Sequence, residues 1–382
     1  MNTGALKIVT IGGIAIKLHW SWLIIALLLT YTLAVGQFPD RVPGESAAFY
    51  WIIGAIASIL FFLSVLLHEL SHSFTALALG YKVREIILFI FGGVANIEQE
   101  PKKARDEFFI AAVGPLTSFL LAGVFYLLLQ VVTPPVRRAG AGAAAIFEYL
   151  AFINLLLAVF NMIPGFPLDG GRVLRSIIWG INRDFAAATR IAGLIGQIVA
   201  YGFIGWGIYQ TFYQGNLGGL WTAFIGWFLL NAAQSSVASV VMRETFRGVY
   251  VYNLMEPPPP TIRPTATLAH LLSSYILPYN LRSVPVTDEA GRLAGLVTLG
   301  DIKEVPQDQW GIATVGEYMT GIEKLRVVFP NEGLDRALDL MSESDFDQLP
   351  VVDHDSRLVG ILTRARIIKW LQIRKELKQA QK

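Results

Sequence analysis

His68, Glu69 and His72 stand in the order His-Glu-Leu-Ser-His inside a long apolar stretch. On a helix, positions i and i+4 share one face, so both imidazoles can bind a single metal ion. Glu69 beside them is a candidate general base for water at that metal. From Ala48 to Gly80 these three are the only acidic, basic or imidazole side chains. Ionisable groups inside a membrane helix are costly and usually functional. A chance occurrence of the pattern, or an ion-pathway cluster, is the alternative. His68 precedes Gly80 by twelve residues, which at 1.5 Å per residue is about 18 Å of helix. The metal would then lie within the hydrocarbon zone, and something must admit water to it.

Catalytic zinc takes three protein ligands and leaves a position open. The chain has no cysteine, so the third ligand must be His, Asp or Glu. His270 and His354 fall in the polar C-terminal part, and His19 opens the first apolar stretch, where an interfacial place suits it. Asp169 is the better candidate. It follows Asn161-Met162-Ile163-Pro164-Gly165-Phe166-Pro167-Leu168 and precedes Gly170-Gly171. The prolines break a helix and the glycines let the backbone turn. Irregular backbone at membrane depth is tolerated where it lines a cavity. N-capping a helix from Gly170 to Gly180 is the other reading of Asp169.

These groups need a scaffold, and the composition points to a membrane. Hydrophobic residues make up 54% of the 382 and charged ones 16%, against about 25% charged in an ordinary soluble domain. Mean hydropathy is +0.51. Six stretches come close to the roughly 20 helical residues that cross a bilayer core: about 19–36, 48–79, 108–132, 143–162, 191–209 and 217–241. No small-residue cleavage site follows the first, so it is expected to be retained as a span. Basic residues set the orientation. Lys7, Lys17, Lys82, Arg84, Lys102, Lys103, Arg105, Arg172, Arg175, Arg183, Arg243 and Arg247 lie on one side, and Arg41, Arg137 and Arg138 on the other. Both termini are therefore expected to be cytoplasmic. The stretches Ile8 to Leu18, with Gly12-Gly13 as a turn, and Lys82 to Glu100 read as β structure forming a small sheet on that face.

Beyond Val249 the chain becomes rich in charge, and Pro257 to Pro260 make an extended connector. Two similar units follow, one containing Val284-Pro285-Val286 and Gly295 to Asp301, the other Leu349-Pro350-Val351 and Gly360 to Arg366. An internal repeat of this kind argues for two copies of one α/β module. A net charge of +2 with no basic stripe gives no reason to expect a nucleic-acid partner.

His68-Glu69-x-x-His72 on one span, followed by Asn161-x-x-Pro164-x-x-Pro167-Leu168-Asp169-Gly170 near a later one, resembles the site-2 protease family of intramembrane zinc metalloproteases. The likeness is greatest to the prokaryotic subgroup with six spans and C-terminal CBS (cystathionine β-synthase) domains. It implies a polytopic α-helical membrane protein of about six transmembrane helices with a small cytoplasmic-side β-sheet, plus a C-terminal α/β CBS pair. Its ranges would be 1–248 for the protease, 249–307 and 308–373 for the CBS units, and 374–382 for a tail. His68, His72 and Asp169 would bind one Zn2+, and Glu69 would be the general base. Phe91-Gly92-Gly93-Val94-Ala95 matches the segment that pairs with unwound substrate. Gly114-Pro115 and Asn154 also match family positions. Asn154 would polarise the scissile carbonyl or make an interhelical hydrogen bond.

In the CBS pair, Thr298 and Asp301 keep the Thr-x-x-Asp signature for ATP or another adenine nucleotide. Thr363 keeps half of it, with Arg366 in place of the Asp; a pair that only associates, with no ligand, is the alternative. The expected substrate is a membrane protein with a transmembrane segment in the lipid bilayer, cut on the cytoplasmic side. Expected associates are a second copy through the CBS pair and an inhibitory membrane partner. A CBS-regulated ion transporter or channel, or a non-proteolytic membrane scaffold, would be the rival functions. The ionisable groups gather at one depth instead of along a through-pathway, and a scaffold has no need of the full set.

Overall fold

The computed structural model describes residues 5–90, 92–97, 100–132, 140–246, 248–344 and 347–380. Phe91, Arg137, Arg138 and Arg247 lie outside them. Two compact units are present, Met1–Val241 and Met242–Lys382.

The first unit begins with a hairpin of β1 (Ala5–Ile11) and β2 (Ile14–His19). Its two-residue loop is Gly12-Gly13, both at positive φ, which the right-handed strand twist favours. Helix α1 (Ser21–Thr32) continues through a π turn, Leu33–Gln37, and a last turn, Phe38–Arg41. After Pro43-Gly44 the Ser46 hydroxyl accepts from the Phe49 N–H and starts α2 (Ala47–Ala78). The chain then forms β3 (Val83–Phe89) and β4 (Gly92–Ile97). These join the hairpin in one sheet of order β1-β2-β3-β4, with β2 and β3 parallel and the outer pairs antiparallel. The parallel pair is the consequence of the crossover through α1 and α2. β4 is an edge strand of this sheet.

Four more long helices, and one short, complete the unit: α3 (Ala104–Val132), α4 (Ala141–Asn161), α5 (Asp169–Asn182), α6 (Phe185–Tyr213) and α7 (Gly218–Phe246). Six helices are long and apolar enough to span a membrane: the stretch from α1 to Arg41, then α2, α3, α4, α6 and α7. Large apolar side chains line their outer faces, among them Ile52, Phe119 and Leu127, as lipid contact requires. The small sheet and the six spans match the sequence reading, with two of them longer at their N-termini. α3 starts at Ala104, four residues before Phe108, and α6 starts at Phe185, six before Ile191. In α6 the Asp184 side chain accepts from the Ala187 N–H and begins the helix before Arg190.

The second unit holds the repeat. β5 (Ser283–Thr287) pairs with β6 (Leu293–Thr298), which carries the short β7 (Thr320–Gly321). β8 (Gln348–Val352) pairs with β9 (Leu358–Thr363). The registers correspond, with Pro285 opposite Leu296 and Pro350 opposite Ile361. Each copy has its own core, one around Ile262, Val284 and Val297, the other around Val328, Leu349 and Leu362. The two meet where Arg292 bridges Arg357 and the Leu293 N–H donates to the Ser356 carbonyl.

Candidate metal centre

His68 and His72 lie one turn apart on α2 and both are buried, 4% exposed. Asp169 is the first residue of α5. Its Oδ2 is 3.1 Å from His68 Nε2 and 3.2 Å from His72 Nε2, and the two nitrogens are 3.2 Å apart. The N-cap of α5 is Leu168, and no side-chain cap bond is made there. Capping is therefore not what holds Asp169 in place. Among the described residues this is the cluster of three metal-ligating side chains with donor atoms within 4.8 Å of one another.

The triangle fits zinc. Bonds of about 2.0–2.1 Å at tetrahedral angles place ligand atoms roughly 3.3 Å apart. His72 Nδ1 lies 2.5 Å from the Ile110 carbonyl oxygen, which only accepts, so Nδ1 carries the proton and Nε2 a lone pair. His68 Nδ1 is likewise engaged, 2.8 Å from Ser118 Oγ. The lone pair of His72 Nε2 thus converges with His68 Nε2 and a carboxylate oxygen on one point, an arrangement a cation stabilises. The Ile110 carbonyl fixes the tautomer of His72, and both outer contacts hold the ring orientations, as partners of metal-bound histidines do.

The space for the ion comes from α3. A β-carbon at Gly114 would sit 2.1 Å from His72 Nε2 and 2.7 Å from His68 Nε2. Pro115 follows inside the helix. It cannot donate to the preceding turn and its ring crowds that turn, next to the Ile110 carbonyl that meets His72.

Asp169 is positioned by backbone packed directly on backbone. A β-carbon on Gly170 would meet the Met162 carbonyl oxygen at 2.4 Å, and one on Gly196 the Phe166 oxygen at 2.2 Å. The Phe166-Pro167 bond is cis. Behind this loop, Arg175 of α5 donates through Nε to Glu107 Oε1 at 2.8 Å and also through Nη2. A third contact is Nη1 to Thr189 Oγ1, 3.4 Å. The guanidinium lies over the Phe166 and Phe185 rings, at 4.9 and 4.5 Å. Glu107 is fully buried, and leaving either charge alone there would cost about 3–5 kcal/mol. The pair therefore ties α3 to α5, the two helices that carry Gly114 and Asp169.

Glu69 faces β4. A β-carbon on Gly93 would lie 2.5 Å from Glu69 Cγ. A cavity of about 830 Å³ contains His68, Glu69, His72, Asp169 and the strand residues Gly92 to Ala95. Asn154 stands apart from it. Its Nδ2 donates to the Leu150 carbonyl and to Ser64 Oγ, 2.8 and 3.3 Å away, and its Oδ1 is buried without a partner among the described residues. That is the interhelical bond between α4 and α2, one of the two roles expected for it. Asn161, Arg172 and Trp221 line the cavity instead. His19 lies outside the metal triangle, with Nδ1 2.7 Å from Ser21 Oγ.

In the second unit, Asp301 Oδ2 accepts from the Thr298 N–H at 2.7 Å and its hydroxyl at 2.8 Å, closing a capping box. At the second copy the Arg366 N–H donates to Thr363 Oγ1, 3.2 Å. The Arg366 guanidinium lies 3.8 Å from Glu256.

Six apolar spans around a two-His, one-Asp cluster, with a paired α/β module, define the class as a membrane metallohydrolase. The model of peptidase family M50 matches residues 56–138 and 130–202, and the CBS domain model matches 251–308 and 315–373. A Mycobacterium tuberculosis protein named "Putative zinc metalloprotease Rip3" is 32% identical over 97% of this chain and 93% of its own. A Synechocystis protein with the same descriptive name, sll0528, is 34% identical over 96% of this chain and 95% of its own. The solved site-2 protease of Methanocaldococcus jannaschii covers 61% of this chain and 95% of its own at 28% identity, with a TM-score of 0.42. The chain belongs to the M50 peptidases, the site-2 protease family of zinc metalloproteases, and carries a CBS pair. It is a multi-pass membrane enzyme, which sets aside the transporter and scaffold readings.

Proposed function

We propose that this enzyme hydrolyses a peptide bond in or near a transmembrane segment of a membrane-protein substrate, with His68, His72 and Asp169 holding the zinc. The observation that carries the reading is the triangle of His68 Nε2, His72 Nε2 and Asp169 Oδ2 inside a cavity shared with Glu69 and the edge strand. Zinc in a three-ligand site supplies Lewis acidity towards a carbonyl and lowers the pKa of water. Glu69 takes the proton of the attacking water and delivers it to the departing amine nitrogen. The water oxygen bonds to the carbonyl carbon, the C–N bond breaks, and with the proton delivered to nitrogen the products are a carboxylate and an amine.

A helical substrate hides its peptide bonds in i to i−4 hydrogen bonds and must unwind to be cut. β4 then offers the freed backbone groups partners by strand addition, with Gly92, Gly93, Val94 and Ala95 running beside Glu69. The excess of basic residues in the connections on one side favours a cytoplasmic location for both termini and the CBS pair, with the cut on that side. The test is proteolysis in liposomes holding the purified full chain and a panel of single-span peptides. Cleavage inside or beside the span, stopped by chelator and restored by zinc, is expected. Metal-independent cleavage, or none across a panel of broad sequence, contradicts the reading.

We further propose that the CBS pair binds an adenine nucleotide at Thr298 and Asp301, the Thr hydroxyl meeting phosphate and the Asp carboxylate the ribose. At Thr363 the pairing of Arg366 with Glu256 leaves no equivalent ribose acceptor. AMP and ATP at about 100 times Kd should stabilise the soluble unit by about 2.7 kcal/mol, read as a melting shift in the full chain. Asp301→Ala should remove that shift, and its absence in the unmodified chain would refute nucleotide binding.

A further inference from the structure

The metal cavity has a neighbour. A second cavity, of about 1040 Å³, lies along the same strand, and Ile90, Val94, Ala95, Ile97, Pro167 and Arg172 line both. Glu100, Asn96, Ser236 and Ser239 contribute polar groups to the second cavity. An extended chain laid along β4 would therefore pass from the metal cavity into its neighbour beside these shared residues.

Arg172 stands at that point. It is three residues after Asp169 on α5, one helical turn from the metal triangle, and its side chain is 24% exposed. The contrast with Arg175 is informative. Arg175 spends its donors on Glu107 and Thr189 and its faces on two rings. Among the described residues Arg172 has one N–O approach within 4.0 Å to a carboxylate, Nε to Glu107 Oε1, longer than a hydrogen bond and to an oxygen that Arg175 already holds, and its charge also acts at longer range on Glu69. Among the described residues Arg172 is also the one Lys or Arg that lines the metal cavity. A guanidinium cannot shed its charge, presents up to five donors in a planar fork and matches a carboxylate with two parallel bonds. In a low-dielectric membrane cavity such a group is retained for an anion.

We propose that Arg172 is a specificity-determining residue that binds a carboxylate of the extended peptide where it passes from the metal cavity into the neighbouring one. This rests on the protease reading above. Two sources offer the same chemistry: an acidic side chain of the substrate close to the scissile bond, or the new C-terminal carboxylate that hydrolysis leaves on the product.

The test reads binding, not turnover. The Glu69→Gln full chain, zinc-loaded in detergent, is titrated with three fluorescent capped nonapeptides of mixed apolar and polar sequence. The first has a central Asp and a C-terminal amide. The second has Asn there and an amide, and the third Asn and a free carboxylate. At least fivefold tighter binding of the first over the second identifies a substrate side chain. The same preference for the third over the second identifies the product end. In either case Arg172→Gln should reduce the ratio to near one with zinc content unchanged, and Arg172→Lys should keep part of it. Because zinc itself attracts carboxylates, the titrations are repeated after chelation, where the Arg172-dependent ratio should persist. Equal binding of all three peptides, a ratio that survives Arg172→Gln, or one that vanishes with the metal overturns the proposal. Failure of the protease reading shows separately, as absent zinc or absent metal-dependent cleavage.

Discussion

Replacing Gly114 by alanine should empty the metal centre while leaving the fold intact. In a helix interior alanine is favoured over glycine by about 1 kcal/mol, so propensity alone makes the change stabilising. The site reverses that preference. The added methyl would lie 2.1 Å from His72 Nε2 and 2.7 Å from His68 Nε2, where the ion must sit, and a close-packed interior cannot yield by that much. Zinc should fall from about one per chain to less than about a tenth, a loss at or beyond the ten- to hundredfold typical of disturbed outer contacts. Gly123 of the same helix has nothing within 4 Å of its β-carbon position, so Gly123→Ala serves as the control and should keep its zinc. Metal analysis of both variants alongside their melting curves checks this. A zinc-replete Gly114→Ala protein would mean that α3 does not shape the site.

Glu69→Gln should separate metal binding from chemistry. The amide keeps the size of the side chain and its place beside Gly93, but it cannot take a proton from water. Removing a general base costs about 10²–10⁴-fold in rate, and that loss is expected in single-turnover cleavage of a span peptide in liposomes. Zinc content should be unchanged, because Glu69 is not a member of the ligand triangle. Cleavage at the original rate would assign the proton transfer to another group.

The parts of this site that a reader of the sequence can find are those whose constraints are local. His68 and His72 share a helix face by spacing alone, and Asp169 sits in a segment whose prolines and glycines announce an irregular turn. The β-sheet is legible for the same reason, from Gly12-Gly13 and from an apolar run too short to span. What cannot be read depends on contacts between distant helices. Glu107 is an acidic residue just before the apolar stretch that begins at Phe108. In the structure it is a buried partner of Arg175, 68 residues further on. Ser118 and the Ile110 carbonyl reach the imidazoles from a helix whose sequence is otherwise plainly apolar. Gly114-Pro115 is the available signal there, since both residues are costly in a helix interior and their pairing in mid-span asks for a reason. Arg190 likewise hides the first turns of α6, which Asp184 caps beneath the apolar stretch.

The most direct test of the central claim is the zinc content of the detergent-purified full chain, prepared without chelator, beside His68→Ala and Asp169→Ala. A centre assembled from α2 and α5 predicts about one zinc per chain, lost or severely weakened in both variants. No zinc in the unmodified chain, or full zinc after Asp169→Ala, would contradict it.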